Sequence, residues 1–153
     1  MTKADTYIDV QKQIAAVLEG EANITARMVT IICLLHQNFD DYFWTGFYLV
    51  DPEKSEELVI GPYQGTLGCL RIPFTRGVCG AAAQDGKTII VEDVHAFPGH
   101  IACDSRSESE IVVPVFDAKG NLFAVLDVDS TRLAAFDATD QHYLEQICGT
   151  IFA

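Results

Sequence analysis

Helical patterns occupy the two ends of this chain, and strand patterns fill its middle. Residues 5–19 carry apolar side chains at helical spacing, and an apolar stretch that Asn23 caps predicts a second helix through about His36. Asp137, with Asp140 three residues later, predicts the start of a terminal helix. This order predicts an α+β fold, in which a central antiparallel sheet carries the N- and C-terminal helices packed on one face.

The first half of the middle region predicts a hairpin and two further strands. Residues 42–50 are aromatic and β-branched, and they are expected to pair with residues 57–63 across the turn sequence DPEKSEE. A short strand near residues 70–73 precedes GVCGAAAQDG, whose alanines predict a short helix. The sequence KTIIVED then reads as another strand.

The second half of the middle region predicts another hairpin. IVVPVF and LFAVLDVDS flank DAKGN, in which Gly120 suits a left-handed turn position. Pro114 has no amide donor, so its strand is expected to be a sheet edge at that point or to carry a bulge.

Length and charge set the class of protein. A chain of 153 residues is expected to form one domain over residues 1–153. No apolar run approaches the roughly 18 residues that cross a bilayer, and the polar start shows no signal-peptide pattern, so we expect a cytoplasmic protein. The net charge of −12 disfavours binding to nucleic acid or to anionic membranes, because both require many cations.

Three of the five cysteines lie where reactive groups are commonly found. Cys69, Cys79 and Cys103 adjoin glycine, histidine or aspartate in segments that read as loops or ends of elements, and not as buried core. Cys33 and Cys148 lie in apolar helical stretches and are expected to be core residues. The placement of the first three favours cysteine redox chemistry.

Two other interpretations of these three thiols stay open. They are either incidental buried thiols, or part of a metal site with His95, His100, Cys103 and Cys79, although that spacing matches no established zinc pattern. In a redox cycle, one thiolate becomes a sulfenic acid and a second thiol condenses with it to a disulfide. Residues 95–109, which have no periodicity, are expected to be a long functional loop.

Acidic residues on an apolar strand indicate a possible ligand site. Strand alternation puts Val125, Asp127 and Asp129 on one face, and Glu110 at the start of the neighbouring strand converges on them across the hairpin. Burial of such charges is unfavourable unless a group such as a ligand ammonium compensates them. The alternative is that both aspartates end the strand facing water.

The aromatic strand has a face that suits either a core or a ligand wall. Trp44, Gly46 and Tyr48 share that face by alternation. Large rings in a strand are most often core residues, but these two rings would also hold a small methyl group.

Four strings of the sequence resemble one known family. WTGFYLV, GPYQGTLGCLRIPFTRGVCGAAA, DVHAFPGHIACDSRSESEIVVPV and LDVDS are similar to the GAF-domain free methionine-(R)-sulfoxide reductases, over about residues 38–137. The resemblance implies a GAF-like fold with the ligand pocket on the sheet face opposite the terminal helices. It also implies reduction of free, not peptide-bound, methionine-(R)-sulfoxide, with no bound cofactor and with thioredoxin as the external reductant.

The resemblance further implies roles for the three loop cysteines. Cys103 would attack the sulfoxide sulfur, Cys69 would be the resolving thiol, and Cys79 would be the third family cysteine, with a less defined role. Because GAF domains often pair through their terminal helices, we also expect a homodimer. The competing function is a regulatory GAF module that binds a small molecule without turning it over; a Cys103→Ser variant separates the two, since only a reductase would lose its activity.

The substrate-contacting residues that the resemblance implies belong to two groups. Two carboxyl groups would bind the substrate and help to protonate its departing oxygen, with a third carboxyl group nearby. This agrees with the rule that crowded carboxylates retain a proton near neutral pH. Two rings line the methyl and sulfoxide end. These residues are Glu110, Asp129 and, nearby, Asp127, together with Trp44 and Tyr48.

Overall fold

The structure, a computed structural model, describes residues 1–100 and 103–153. Its helices are α1 (Lys3–Val17), α2 (Ile24–Asn38), α3 (Gly77–Asp85) and α4 (Ala138–Cys148), with one 3₁₀ turn over Val94–Ala96. Its strands are β1 (Trp44–Asp51), β2 (Lys54–Gln64), β3 (Arg71–Pro73), β4 (Ile89–Val91), β5 (Ser109–Phe116) and β6 (Leu122–Ser130). Within the described residues, no helix has the length and apolar character that crossing a bilayer requires.

One antiparallel sheet has the strand order β3-β2-β1-β6-β5-β4. The two predicted hairpins are therefore confirmed, and pairing of β1 with β6 joins them. The first turn is shorter than predicted, because β2 already begins at Lys54 and the Asp51 side chain accepts a hydrogen bond from the Glu53 amide at 2.8 Å. Asx turns of this kind close a hairpin in few residues.

Three helices cover one face of the sheet. Apolar residues of α1, α2 and α4, such as Tyr7, Ile31 and Leu144, pack with Leu126 of β6 in one buried cluster. The predicted α+β arrangement with terminal helices on one face is confirmed. The apolar pattern of residues 5–19 predicts the buried face only in part: Ile14 and Leu18 are buried, whereas Ile8 and Val17 are exposed.

Side-chain caps fix the starts of the terminal helices, as predicted. The Asn23 side chain accepts from the amide of Ala26 at 2.9 Å, and Asp137 forms a capping box with Asp140. α1 begins earlier than predicted, because Thr2 makes a similar capping box.

The opposite face of the sheet carries a second, smaller cluster under α3. Because side chains alternate along a strand, Tyr48 and Val125 face this cluster, whereas Phe47 and Leu126 face the terminal helices. β4 pairs with β5 only as far as Val112, so the outer edge of β5 is free at Pro114, as predicted.

The two helical cysteines differ in burial. Cys148 belongs to the buried helical cluster, which confirms its predicted core position. The same prediction was wrong for Cys33, which is only half-buried. Cys33 lies beside the face of α2 on which Ile32 and Leu35 are fully buried, so neighbouring elements cover it incompletely.

Candidate active site

A disulfide joins Cys69 and Cys103 on the α3 side of the sheet, with 5.5 Å between the two Cα atoms. Cys69 lies in the loop between β2 and β3, and Cys103 lies in the loop before β5. Both loop positions were predicted, although the predicted loop over 95–109 begins with a 3₁₀ turn and ends in β5, and its residues 101 and 102 lie outside the described residues. The two loops therefore hold Cys69 and Cys103 at a Cα–Cα distance that suits a disulfide bond.

A cavity of about 40 Å³ lies next to this disulfide, between the sheet and the start of α3. With the disulfide closed, this volume has room for a few water molecules. All predicted site residues except Cys69 line the cavity, and Cys69 is bonded to a lining residue. The lining members of the predicted set are Trp44, Tyr48, Cys79, Cys103, Glu110, Asp127 and Asp129.

The three carboxyl groups converge because of strand register. Asp129 of β6 is directly opposite Glu110 of β5 on one side and Trp44 of β1 on the other, and Asp127 lies one alternation further along β6. Glu110 and Asp127 are buried, with 5% and 6% of their surface exposed, so the alternative of a water-facing strand end was wrong for Asp127. Asp129 is half-buried at the open end of the row.

Burial and mutual repulsion keep protons on this carboxyl cluster. Desolvation raises the pKa of Glu110 well above its ordinary range, and the charges of Asp127 and Asp129 raise it further. Desolvation and the neighbouring Asp127 also raise the pKa of Asp129. A cluster of this kind holds a proton at a pH at which an isolated carboxyl group would be ionised.

One carboxylate oxygen of Asp127 lacks a hydrogen-bond partner in the described part of the chain. This oxygen, Oδ1, is also buried. A buried polar atom of this kind is unfavourable without a partner, so it marks a place where a bound donor would be stabilised.

Cys79 differs from the two bonded cysteines. It lies in the first turn of α3, buried, and its Sγ is 3.9 Å from Glu110 Oε2. The expectation that Cys79 is not a buried residue was wrong, because the start of α3 packs against β5 and β6 beneath the loops. Burial and the adjacent carboxylates raise the pKa of its thiol well above the ordinary value, which disfavours the nucleophilic thiolate.

Of the two histidines suggested as metal ligands, His100 lines the cavity with Cys79 and Cys103, whereas His95 is exposed at the surface. In the described part of the chain, His95 groups with Asp93 and Glu108 on the surface, and its Nε2 is 3.3 Å from Glu108 Oε2. Cys79 groups instead with Glu110 and Asp127, whose potential ligand atoms lie within 4.8 Å of one another. The ligand set His95, His100, Cys103 and Cys79 is thus not assembled among these residues.

Both rings of the aromatic strand are at once buried and part of the cavity wall. Trp44 stacks on Tyr48 with a centroid distance of 5.7 Å and on Tyr63 at 5.1 Å. The Trp44 Nε1–H donates to the carbonyl of Thr66 at 2.8 Å, and the Tyr48 hydroxyl donates to the carbonyl of Cys69 at 3.0 Å. The core and ligand-wall interpretations are therefore compatible, and the rings also fix the loop that carries Cys69.

Sequence reasoning missed a polar network at the disulfide. The Thr66 hydroxyl donates to Asp104 Oδ2 at 2.8 Å, and the guanidinium and amide of Arg106 also donate to Asp104. The sequence DSR after Cys103 is typical of a turn, so it predicts only the hydrogen bonds between Asp104 and Arg106. Thr66 is 38 residues away, so no local pattern indicates its contact.

Comparisons with known proteins agree with this geometry. A family model described as "GAF domain" matches residues 26–152. The chain is 49% identical over 146 residues to GAF domain-containing protein A of Dictyostelium discoideum, covering 95% of this chain and 90% of that protein. It is 41% identical over 147 residues to the free methionine-R-sulfoxide reductase of Escherichia coli (strain K12), covering 96% and 87%.

A solved structure has the same fold with a substrate present. The free methionine-R-sulfoxide reductase from Neisseria meningitidis, in complex with its substrate, superposes with a TM-score of 0.93 at 48% identity. The match covers 99% of this chain and 89% of that one. The predicted GAF-like fold is confirmed.

Proposed function

Because this chain belongs to the GAF-domain free methionine-(R)-sulfoxide reductases, we propose that it reduces free L-methionine-(R)-sulfoxide to methionine. The single observation that carries the chemistry is the Cys69–Cys103 disulfide beside a cavity lined by buried carboxyl groups. A disulfide in this position is the product expected when a sulfoxide has given its oxygen to a pair of thiols.

The first chemical step is attack by the Cys103 thiolate on the sulfoxide sulfur. The sulfoxide oxygen is a poor leaving group until it accepts a proton, and the cluster of Glu110, Asp127 and Asp129 supplies one because its pKa values are raised. The bond between the Cys103 sulfur and the substrate sulfur forms as the protonated oxygen leaves as water. Water then attacks the Cys103 sulfur and displaces methionine, which leaves Cys103 as a sulfenic acid and releases a proton.

The second step closes the disulfide. The Cys69 thiol attacks the Cys103 sulfur, the S–S bond forms, and the sulfenic oxygen leaves as water. An external dithiol, for which we propose thioredoxin, then reduces the bond by thiol–disulfide exchange. The proposed cycle uses no bound cofactor and no metal, and a cytoplasmic location would provide the reductant.

Cys79 has a supporting role in this scheme. Its buried thiol is held protonated, and it lies 3.9 Å from the Glu110 carboxyl group, where it donates a weak hydrogen bond. Such a thiol helps to fix the proton donor and is a poor nucleophile.

Recognition of a free amino acid follows from the charges of the pocket. The unpartnered Oδ1 of Asp127 accepts a hydrogen bond from the substrate ammonium. The carboxylate of the substrate lies at the start of α3, whose N-cap residue Arg76 makes no side-chain capping bond. Trp44 packs against the methyl end. A peptide nitrogen carries no charge, so a peptide-bound sulfoxide would leave the acidic side of the site uncompensated.

The outer faces of the terminal helices support a homodimer. Ile8 and Val17 of α1 and Val29 of α2 are exposed apolar side chains, at 39%, 61% and 47% of their surface. Apolar residues on neighbouring helices are typical of a surface that a second copy covers. Sedimentation velocity tests this assembly.

A coupled assay tests the proposed activity. NADPH consumption is followed with thioredoxin, thioredoxin reductase and the fully reduced protein, with free methionine-(R)-sulfoxide, the free (S) epimer and N-acetylmethionine-(R)-sulfoxide as parallel substrates. We expect turnover of the free (R) form alone, and none in the Cys103→Ser variant. Absence of turnover with every substrate would contradict the proposal and favour a binding module.

A further inference from the structure

Asp104 joins the two loops that carry the bonded cysteines. It follows Cys103 directly, and its Oδ2 accepts a hydrogen bond at 2.8 Å from the hydroxyl of Thr66, which precedes Cys69 by three residues. A second link thus lies beside the disulfide and connects the same two segments.

Arg106 holds the Asp104 end of this link through three hydrogen bonds. Asp104 Oδ1 accepts from the Arg106 amide at 2.9 Å and from Nε at 3.0 Å, while Oδ2 accepts from Nη2 at 2.8 Å. The guanidinium in turn lies 4.9 Å from the centre of the Phe43 ring, next to the start of β1. The Arg106 hydrogen bonds hold the pKa of Asp104 far below its usual range, so this carboxylate is an acceptor only and Thr66 is the donor.

The Thr66 end is also fixed, through its main chain. Its carbonyl accepts the Trp44 Nε1–H at 2.8 Å, and Trp44 is itself buried in β1. The two partners of the link are therefore positioned by two consecutive residues, Phe43 and Trp44, at the start of β1. An intramolecular link of this kind raises the effective concentration of one cysteine at the other.

We propose that Asp104 is a positioning residue for the resolving step, acting through Thr66 to bring the Cys103 loop against Cys69. The inference rests on the proposed function for the origin of the Cys103 sulfenic acid. In the step itself, the Cys69 thiol attacks the Cys103 sulfur, the disulfide forms and water leaves. Asp104 exchanges no proton in this step; its contact stabilises the closed, disulfide-bonded arrangement of the loops over the open dithiol.

The first test needs no sulfoxide. The equilibrium constant between the Cys69–Cys103 disulfide and dithiothreitol is measured by thiol labelling in wild type, Asp104→Asn, Thr66→Val and the double variant. We expect each single change to disfavour the disulfide about tenfold, or about 30 mV, since one charge-assisted hydrogen bond is lost. The double variant should lose less than the sum of the two single losses, because both changes weaken the same Thr66–Asp104 contact, while Asp104→Asn also weakens the hydrogen bonds from Arg106.

Two features make this test specific. Ser105→Ala, an exposed change beside Asp104, is the matched control and should leave the constant unaltered. Circular dichroism of each reduced variant confirms that it is folded. If Asp104→Asn disturbs the loop, Thr66→Val still tests the contact, because valine keeps the shape of the threonine side chain. Equal constants in folded Thr66→Val and wild type would overturn the proposal, as would additive losses in the double variant.

A kinetic experiment separates this proposal from the proposed function. Reduced protein is mixed with one equivalent of free methionine-(R)-sulfoxide, and methionine release, disulfide closure and trapping of Cys103 sulfenic acid by dimedone are followed together. A longer delay between methionine release and closure in Thr66→Val supports the positioning role, and an unchanged delay overturns it. If wild type releases no methionine, the proposed function fails, while the equilibrium constants still decide the role of Asp104.

Discussion

Reduction of the Cys69–Cys103 disulfide should lower the thermal stability of the protein by an amount that the size of the closed loop determines. The bonded residues are 34 positions apart in the chain. For a closure of this length, the chain-entropy relation gives about 4 kcal/mol of stabilisation through the unfolded state. In a domain of this size each kcal/mol changes the Tm by roughly 2–4 °C, so reduction should lower the Tm by roughly 8–16 °C.

Circular dichroism during heating provides the assay, with the oxidised protein and the dithiothreitol-reduced protein at equal concentration. The Cys69→Ser variant is the matched control, because it cannot form the bond and keeps every other cysteine. Its Tm should equal that of the reduced wild type and should not respond to dithiothreitol. An unchanged Tm on reduction of wild type, or an equal response in Cys69→Ser, would refute the loop-entropy reasoning.

Three other changes test separate parts of the account. Glu110→Gln should reduce turnover by ~10²-fold or more, because a proton donor is lost. It should also raise the Tm over wild type, increasingly as the pH rises above 4.5. Burial and the neighbouring aspartates raise the pKa of Glu110 in the folded state well above 4.5, so wild type loses stability as the pH rises from that value, and a Tm difference that does not change with pH would contradict this. Cys79→Ala should lower turnover only modestly, because Glu110 loses one weak hydrogen bond, and should retain the Cys69–Cys103 disulfide in peptide maps; loss of that disulfide would show that Cys79 takes part in the redox step. Tyr7→Phe should cost about 2 kcal/mol in urea unfolding, since the Tyr7 hydroxyl donates to the buried Asp140 at 2.5 Å; a change below about 0.5 kcal/mol would count against that contact.

The carboxyl cluster could be predicted because two local features of the sequence determine it, namely strand alternation and a hairpin turn. Alternation along β6 puts Asp127 and Asp129 on one face, and a hairpin closed at DAKGN brings Glu110 opposite Asp129. Element types followed in the same way from capping and periodicity. The burial of Asp127 did not, because it depends on α3 and the loops that cover that face.

Contacts between distant loops could not be predicted in this way. Cys79 reads as exposed because glycines surround it, yet the small residues let α3 pack closely: a Cβ at Gly80 would approach the Pro73 carbonyl oxygen to 2.6 Å. The contact between Thr66 and Asp104 is formed only after two loops have been brought together by the sheet. Neither residue lies in a periodic segment, so its partner is determined by tertiary structure alone.

The central claim is that Cys103 takes the sulfoxide oxygen and Cys69 closes the disulfide, and a single-turnover experiment tests it most directly. Fully reduced protein is mixed with excess free methionine-(R)-sulfoxide and no external reductant, methionine is quantified, and the product is digested and mapped by mass spectrometry. We predict one equivalent of methionine per chain and a single new cross-linked peptide pair containing Cys69 and Cys103. Formation of methionine with these two thiols still free, or no methionine at all, would contradict the account.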